Sequence, residues 1–419
     1  MVNDKGFSQI MSVVIGIVII VLIGVVVSIS LKDGEEIQTV DIITTEEVVN
    51  ENKPEIGNVS FVGLDLSAGG YKLASQELNK DIQTISEVVE GKYSLLSTNI
   101  QQDAVFLIKD FWQDKDAGGT ELYELYLETG DVAEIFSLPN KEVNNQRKFI
   151  TGAVYSLDKS KIAYSTNLYS DESLELLEGG SKSVEIWEYD TVKDIHTLVA
   201  DVSGGIYSGL KILGYDNSQE NLILYQFNAD AGASVLGRVQ FLNIAEGVID
   251  KDSFQLALDN YFSQVDEENK IKTAGYPYLS PSGEYIAFIL PKMSWEDEMN
   301  GDNNEVVLYN ISLHKIKSIY IDDLSAISAP SLNNLYWLDN YLYIPTNQKL
   351  VMYSTVADKI IPIYVWSDIS LVNKLYAVTD NSAIIGVDGR PPVFIDFNKA
   401  SETELVDMNN YEYINIYYK

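Results

Sequence analysis

The chain's clearest pattern is a short polar turn followed by an alternating apolar run, and it occurs twice, more than a hundred residues apart. Residues 156–164 read SLDKSKIAY, and residues 280–288 read SPSGEYIAF. Proline presets φ and glycine tolerates a positive φ, so Pro281 and Gly283 suit a tight turn. The alternating run after the turn predicts a half-buried strand. A repeated turn-and-strand unit indicates a radial or stacked β architecture.

From about Val59 onward, β-prone runs alternate with turn signals, and no long amphipathic helix is predicted. A strand followed by an Asp, Asn, Ser, Thr or Gly turn recurs seven times. The copies are anchored at Leu64, Tyr126, Tyr189, Leu242, Tyr309, Tyr353 and Ile395, with spacings of 42 to 67 residues. A four-stranded propeller blade needs about 40 to 50 residues, and longer loops explain the excess. We therefore predict an all-β fold, a seven-bladed β-propeller over residues 58–419. Six blades are the close alternative, and other all-β arrangements such as two stacked sandwiches remain open.

In two of the units, all four strands can be assigned from the sequence. The first has strands at 149–156, 161–166, 184–189 and 195–200, and the second has strands at 273–280, 284–290, 305–310 and 315–321. The first unit of the chain lacks its early strands, whereas 411–418 is a β-prone run left over at the C-terminus. Pairing these two ends of the chain would close a ring and remove open sheet edges, which otherwise invite aggregation.

The 280–288 stretch resembles the turn-and-strand repeat of TolB-like propellers, which also builds the propeller of dipeptidyl-peptidase IV and prolyl oligopeptidase relatives. In that family an Asp usually precedes the Gly, and this chain has Ser282 there. The 156–164 copy keeps Asp158 but has Leu157 and Lys159 where Pro and Gly are usual. At the level of repeated strand units, the resemblance extends over roughly residues 59–419. It implies a propeller fold and says little about a ligand.

The N-terminus predicts a membrane anchor. Residues 10–31 carry no charge, and 22 residues of helix span a hydrocarbon core of roughly 30 Å. No A-x-A-like cleavage site ends this run, which favours a retained helix in residues 1–32 over a cleaved secretory signal. Residues 33–57 are acidic and predict an extended linker. We place the large acidic domain on the extracytoplasmic side of the cell membrane.

The residues before the apolar run, Lys5-Gly6-Phe7-Ser8, resemble the start of type IV prepilin signals. That family is processed after the glycine, which implies a processing site between Gly6 and Phe7. Met11 stands where the family has a Glu that many prepilins need for fibre assembly. The departure favours anchoring over incorporation into a filament. A plain membrane anchor with a chance Gly-Phe pair is the alternative interpretation.

Composition excludes several classes of function. The net charge is −33, from 29 basic and 62 acidic residues, and such a surface repels nucleic acid. The chain has no Cys, which excludes disulfides, thiolate metal sites and Cys nucleophiles. Its two histidines, His196 and His314, do not suit a multi-histidine zinc site. No Gly-x-Ser-x-Gly motif is present, so we expect no hydrolase of the kind that related peptidases carry.

Three long connections between the second and third strands of their units, 113–121, 168–183 and 291–305, are rich in carboxylates. In a propeller such connections open on one face, where gathered carboxylates favour a cation or a basic partner. The candidate binding residues are Asp114, Asp116, Glu121, Asp171, Glu172, Trp295, Glu296, Asp297 and Asp302. Asp114, Asp116 and Glu121, with a glycine between them, also resemble a short calcium loop, so Ca²⁺ is the candidate metal. Solvated loops in an acidic protein are the alternative interpretation.

These observations predict a membrane-anchored, extracytoplasmic β-propeller that binds a protein or a cell-surface component and is not an enzyme. One alternative is a pilin-like subunit that carries a propeller on a surface filament. The other is a hydrolase with paired carboxylates in the propeller channel, as in glycosidases.

Overall fold

The computed structural model describes most of the chain between Val59 and Tyr418. The undescribed internal segments are 66–70, 79–80, 82, 89–92, 100–103, 110–118, 128, 140–141, 144–145, 171–182, 204–207, 229–237, 264–276, 291–304, 322–334, 347, 367–371, 388, 409–410 and 412. Residues 1–58, with the predicted membrane helix, the acidic linker and the Gly6–Phe7 processing site, lie outside the described residues. In the part that is described, no helix has the length and hydropathy needed to cross a bilayer.

The described residues form seven antiparallel sheets, which we number in chain order. Sheet 1 contains β1 (Val59–Asp65), β2 (Tyr71–Glu77), β3 (Gln83–Val88) and the last strand of the chain, β29 (Tyr413–Tyr418). Sheet 2 contains β4 (Tyr93–Asn99), β5 (Ala104–Lys109), β6 (Glu121–Tyr126) and β7 (Val132–Ser137). Sheet 3 contains β8 (Glu142–Val143), β9 (Gln146–Tyr155), β10 (Lys161–Ser170), β11 (Ser183–Asp190) and β12 (Ile195–Ser203).

The remaining four sheets have four strands each. Sheet 4 contains β13 (Ser208–Tyr215), β14 (Asn221–Asn228), β15 (Arg238–Asn243) and β16 (Val248–Asp250). Sheet 5 contains β17 (Tyr278–Leu279), β18 (Tyr285–Leu290), β19 (Glu305–Asn310) and β20 (Lys315–Ile319). Sheet 6 contains β21 (Tyr336–Leu338), β22 (Tyr341–Pro345), β23 (Lys349–Ser354) and β24 (Lys359–Val365). Sheet 7 contains β25 (Val372–Val378), β26 (Ser382–Val387), β27 (Val393–Asp396) and β28 (Ser401–Glu404).

The strand order repeats from sheet to sheet, as a propeller requires. Sheets 2 and 4–7 follow chain order, sheet 1 runs β29-β1-β2-β3, and sheet 3 adds the short β8 beside β9. We call β29, β4, β9, β13, β17, β21 and β25 the first strands. From β4 to β29, each first strand contacts the first strand of the next sheet. Separate apolar clusters fill the spaces between successive sheets from sheet 2 to sheet 7, and between sheet 7 and sheet 1.

The predicted pairing of the chain ends is confirmed. β29 pairs with β1 in antiparallel register, with Phe61 opposite Ile416. Both predicted four-strand units are confirmed as well, as β9–β12 and β17–β20. The anchor Leu64 lies on the second strand of sheet 1, whereas the other six anchors lie on third strands.

The recurring Tyr anchors have a structural reason. Tyr189, Tyr309 and Tyr353 lie on third strands, and each hydroxyl bonds to the side chain five residues later in the following turn. The distances are 3.1 Å to Asp194 Oδ1, 2.7 Å to His314 Nδ1 and 2.6 Å to Asp358 Oδ1. Those three turn residues have φ between 50° and 58°, a left-handed conformation that few residue types favour. The tyrosine therefore ties a strained turn to its sheet.

The turn between first and second strands explains the repeated sequence motif. Ser156 Oγ accepts the N–H of Lys161 at 3.0 Å, and Ser280 Oγ accepts the N–H of Tyr285 at 3.0 Å. Asp216 makes the same bond to the N–H of Asn221 at 3.1 Å in sheet 4. The turn of sheet 4 is therefore a third copy, in which a carboxylate replaces the serine hydroxyl.

One helix, α1 (Ser253–Ser263), follows β16 and was not predicted. It buries Phe254, Ala257 and Leu258, the i, i+3 and i+4 positions of one face. The Phe254 ring lies 5.6 Å from Phe288 and 5.1 Å from Tyr309, so the helix covers the outside of the space between sheets 4 and 5. At 11 residues the helix is too short to give a sustained period among the β-runs.

Candidate binding site

The three acidic connections lie where the sequence predicts them, between second and third strands. Residues 110–118 join β5 to β6, residues 171–182 join β10 to β11, and residues 291–304 join β18 to β19. Eight candidate binding residues lie on these segments, outside the described residues: Asp114, Asp116, Asp171, Glu172, Trp295, Glu296, Asp297 and Asp302. The acidic face and the calcium site therefore stay predictions for these residues.

Glu121 is the candidate residue that the structure describes. It begins β6 and is partly buried, and its carboxylate accepts a hydrogen bond from the Tyr123 hydroxyl at 2.5 Å. Among the described residues, no three His, Asp or Glu side chains are grouped to hold a metal ion. Glu121 is thus anchored to its own strand at the point where the first acidic connection ends.

Sheets 2 and 3 are held together at this point. The carbonyl of Gly119 accepts the N–H of Ile150 in β9 at 2.8 Å. Gly119 has a φ of 72°, and a Cβ there would lie 2.3 Å from the Phe149 ring. Glycine is needed both for the backbone conformation and for this close approach. Gly119, which follows the connection 110–118, therefore contacts the first strand of sheet 3.

A buried ion pair lies beside this contact. Lys148 Nζ in β9 is 2.7 Å from Glu185 Oε2 in β11, and the two side chains are 8% and 16% exposed. Glu185 also accepts hydrogen bonds from Trp187 Nε1 at 2.9 Å and Thr166 Oγ1 at 3.2 Å. Lys148 Nζ lies 5.0 Å from the centre of the Trp187 ring, a cation–π distance. We call Lys148, Thr166, Glu185 and Trp187 the ion-pair cluster.

The ion-pair cluster lies within sheet 3, near the described residues that follow two of the acidic connections. Burying two charges costs several kcal/mol per ion, and close pairing plus extra hydrogen bonds offset that cost. The Glu185 carboxylate accepts hydrogen bonds from three donors, Lys148, Trp187 and Thr166. Because these bonds engage the carboxylate within the cluster, a role in holding the strands in place suits it better than a role in reaction chemistry. β11 begins two residues before Glu185, and Gly119 contacts β9 two residues after Lys148. Gly119 and Ser183, the described residues that follow these two connections, therefore lie near the cluster.

The two histidines have structural roles. His196 Nδ1 is hydrogen-bonded to the Tyr164 hydroxyl at 2.8 Å, and its ring packs against Phe136 and Tyr189. Burial lowers the pKa of His196, which keeps the imidazole neutral at pH 7. Burial also raises the pKa of the Tyr164 hydroxyl, which stays protonated. His196 lies at the start of the fourth strand β12, and His314 lies in the turn that precedes the fourth strand β20.

A cleft of about 470 Å³ lies between sheets 4 and 5, at the end that carries the short turns. Two of its carboxylates, those of Asp216 and Asp250, accept hydrogen bonds from nearby backbone. Asp216 accepts the N–H groups of Glu220 and Asn221, and Asp250 accepts those of Asp252 and Ser253 at the start of α1. These carboxylates shape turns and cap a helix, which accounts for their presence in the cleft.

The sequence gives no clear signal for the ion-pair cluster. Residues 183–190 read SVEIWEYD, an alternation that predicts outward-facing acids on a half-buried strand. In the structure both faces of β11 are covered. Glu185 pairs with Lys148, whereas Glu188, next to Tyr215 of sheet 4, pairs with Lys161 at 2.6 Å. Alternation alone therefore does not show which acids are exposed in stacked sheets.

No family model matches the chain, and no curated protein matches it. Among solved structures, it is similar to TolB from Acinetobacter baumannii, with 12% identity and a TM-score of 0.37 over 83% of this chain and 64% of that one. It is also similar to an oligogalacturonate lyase from Vibrio parahaemolyticus, with 10% identity and a TM-score of 0.46 over 80% and 84%. A third is dipeptidyl peptidase 4 from Porphyromonas gingivalis, with 10% identity and a TM-score of 0.40 over 84% and 51%.

The chain thus spans about two thirds of that TolB and about half of that peptidase. These are two of the kinds of protein that the turn-and-strand motif resembles. The sheet order, the register and the contacts between first strands identify the architecture as that of a β-propeller.

Proposed function

We propose that the chain is a membrane-anchored, seven-bladed β-propeller that binds a protein or a cell-surface component on the extracytoplasmic side, without catalysis. Seven sheets of repeated order support seven blades, and the pairing of β29 with β1 supports a closed ring. The uncharged run at 10–31 supports the anchor.

The observation that carries the proposed binding role is the position of the three acidic connections. Each joins a second strand to a third strand, in sheets 2, 3 and 5. In a ring of sheets with one strand order, all such connections leave from the same end. Their carboxylates then share one face, and the hydrogen bond from Ile150 N–H to the Gly119 carbonyl joins sheets 2 and 3 beside it. A basic protein surface is the partner that such a face suits.

The channel hydrolase is the less favoured alternative. Glycosidases of that type need two carboxyl groups roughly 5 to 10 Å apart across the substrate. None of the seven first strands, in the bounds that the structure gives them, carries an Asp or a Glu. These strands form the innermost wall of a propeller, so they offer no carboxylate pair.

A charge-neutralised variant tests the binding role. We expect Asp114→Asn, Asp116→Asn, Glu296→Gln and Asp297→Gln together to reduce recovery of native partners at least fivefold, because the shared face loses four charges. The measurement is quantitative mass spectrometry of cross-linked partners captured from native membranes, with and without a chelator.

The matched control removes four exposed carboxylates from short turns at the other end of the sheets. It carries Asp131→Asn, Glu220→Gln, Glu246→Gln and Asp339→Asn, all exposed side chains. The control is expected to recover partners as the unmodified protein does. Equal recovery by the two variants, whether both normal or both reduced, would contradict a binding role for the acidic connections.

A further inference from the structure

The cleft between sheets 4 and 5 has walls that hydrogen bonds hold in place. Both sheets contribute to it, through the segments 216–221, 243–248 and 311–314 and through Gly283. Asn217 joins the two sheets beside the cleft. Its N–H donates to the Gly283 carbonyl at 3.0 Å, and its Nδ2 donates to Glu284 Oε1 at 3.1 Å. Because the sheets are bonded here, the cleft exists before any ligand arrives, as most small-molecule sites do.

The size of the cleft suits a small molecule. Its volume of about 470 Å³ lies within the range of roughly 300–1,000 Å³ that is typical of ligand pockets. The lining combines polar side chains with the apolar side chains of Phe241, Val248 and Ile311. Val248 is 58% exposed, so a hydrocarbon chain can lie against it. The cleft therefore offers both room and apolar contact to a ligand of several non-hydrogen atoms.

Four polar groups on the walls are available to a ligand. Among the residues that the structure describes, the Glu246 carboxylate and the Ser312 hydroxyl have no hydrogen bond or ion pair. Within the same residues, Asn217 bonds through Nδ2 but not through Oδ1, and His314 bonds through Nδ1 but not through Nε2. The Glu246 N–H donates to Asn243 Oδ1 at 2.9 Å, which holds the turn that carries the carboxylate. Acceptor oxygens predominate among the available groups.

The charge on the walls is negative. Asp216, Glu246 and Asp250 line the cleft, and no Lys or Arg does so in the described part of the chain. Burial acts to raise the pKa of Asp250, but hydrogen bonds from Ser253 and from the Asp252 N–H outweigh burial and lower that pKa, so the carboxyl is ionised at pH 7. A cleft lined by one sign of charge concentrates ions of the opposite sign. The ligand that this field attracts is a cation.

An organic cation fits these walls better than a metal ion does. The three carboxylates come from separate segments, and among the described residues no three His, Asp or Glu side chains are grouped to hold a metal. A guanidinium group has five N–H donors in one plane and no acceptor, and it forms two parallel hydrogen bonds with a carboxylate. It is also more weakly hydrated than an ammonium group, so it enters a partly apolar cleft at a lower cost in free energy.

We propose that the cleft between sheets 4 and 5 binds a small guanidinium compound, with the Glu246 carboxylate as its bidentate partner. Asn217 Oδ1 accepts a further N–H, and Val248 contacts the carbon chain of the ligand. The site is independent of the acidic connections, because it lies at the opposite end of the sheets. The ligand is a free small molecule, so the capture of partner proteins by those connections does not depend on Glu246.

The test uses the full chain in detergent at 150 mM salt, with n-butylguanidinium as the probe and isothermal titration calorimetry as the measurement. We expect a Kd of about 0.1–1 mM for a probe of this size. n-Butylurea, a neutral analogue of the same shape, should bind at least tenfold more weakly. Glu246→Gln should weaken binding of n-butylguanidinium at least tenfold. The matched control, Glu134→Gln, removes an exposed carboxylate from β7 of sheet 2 and should change the Kd less than twofold.

A second pair of variants tests the place of binding without changing its charge. Ser312→Trp puts an indole ring into the cleft and should abolish binding. Val356→Trp makes the same change at the equivalent turn position in sheet 6 and should leave the Kd unchanged. Circular dichroism shows whether each variant is folded, and the exposed substitution Glu246→Gln keeps the proposal testable if Ser312→Trp does not fold.

Three results would overturn the proposal. They are no binding of n-butylguanidinium by the unmodified protein, equal binding of n-butylurea, and a folded Glu246→Gln or Ser312→Trp variant that binds as its control does. Normal capture of partner proteins alongside any of these results rejects the cleft site alone and leaves the proposed function standing.

Discussion

Deleting residues 411–419 is expected to abolish cooperative folding of the propeller at 25 °C. The deletion removes β29, the first strand of sheet 1, and leaves an edge of β1 unpaired. It also removes Tyr411, Ile414 and Ile416, which are 5%, 1% and 7% exposed and pack with Phe61 and Phe394. Burying a large apolar side chain contributes about 1.5–3 kcal/mol, so roughly 5–9 kcal/mol is lost. Whole domains are stable by only about 5–15 kcal/mol.

The measurement is urea unfolding followed by tryptophan fluorescence, with size-exclusion chromatography to detect association. The matched control deletes Lys419 alone and should unfold as the unmodified chain does. A monomeric deletion variant with an unchanged unfolding midpoint would contradict the role of β29 in sheet 1.

Gly283→Ala is expected to lower the free energy of unfolding by roughly 2–5 kcal/mol. Gly283 has a φ of 70°, which costs a residue with a Cβ about 1–2 kcal/mol. The added Cβ would also lie 2.6–2.7 Å from backbone atoms of Tyr215, Asp216 and Asn217 in the neighbouring turn of sheet 4. Backbone cannot move aside as a flexible side chain does, and Gly283 O accepts the N–H of Asn217 at 3.0 Å. Overpacking of this kind adds about 1–3 kcal/mol.

Gly389→Ala separates the cost of the left-handed backbone conformation from the cost of the steric clash. Gly389 has the same φ of 70°, but a Cβ there meets no atom within 4 Å. Its substitution should cost only about 1–2 kcal/mol, the conformational part. Urea unfolding of the two variants gives the difference directly. Equal losses would show that sheets 4 and 5 do not meet at these turns.

The sequence predicted the strand units well because turn chemistry is local. Pro281 and Gly283 define a tight turn within a few residues, and the structure has that turn, with Gly283 at a φ of 70°. Asp216 forms the same turn, but the sequence comparison missed it because a carboxylate stands in place of the hydroxyl. The pairing that closes the ring could be predicted because the β-prone run 411–418 at the C-terminus was left without partner strands in a unit of its own.

The parts that sequence reasoning missed depend on neighbours distant in the chain. Glu185 and Lys148 look like surface charges in their own strands, and their burial follows from the sheet that packs over them. Helix α1 was missed because its 11 residues give no sustained period, and its apolar face packs on sheet 5, where Phe254 meets Phe288. The absence of acids from the first strands became visible only when the strand order was known, since those strands lie far apart in the sequence.

The central claim, that the ends of the chain meet in one sheet of a closed ring, has a direct measurement. The chain has no Cys, so two introduced cysteines can form a disulfide within the chain only with each other. Ser60 lies opposite Tyr417 in the β1–β29 register, where Cα atoms are close enough for a disulfide. We expect Ser60→Cys with Tyr417→Cys to form an intramolecular disulfide nearly completely on mild oxidation, as seen by intact mass and non-reducing gels. Ser60→Cys with Tyr418→Cys shifts one cysteine to the other face of the strand and should form far less. Equal yields from the two pairs, or disulfides mainly between molecules, would contradict the closed ring.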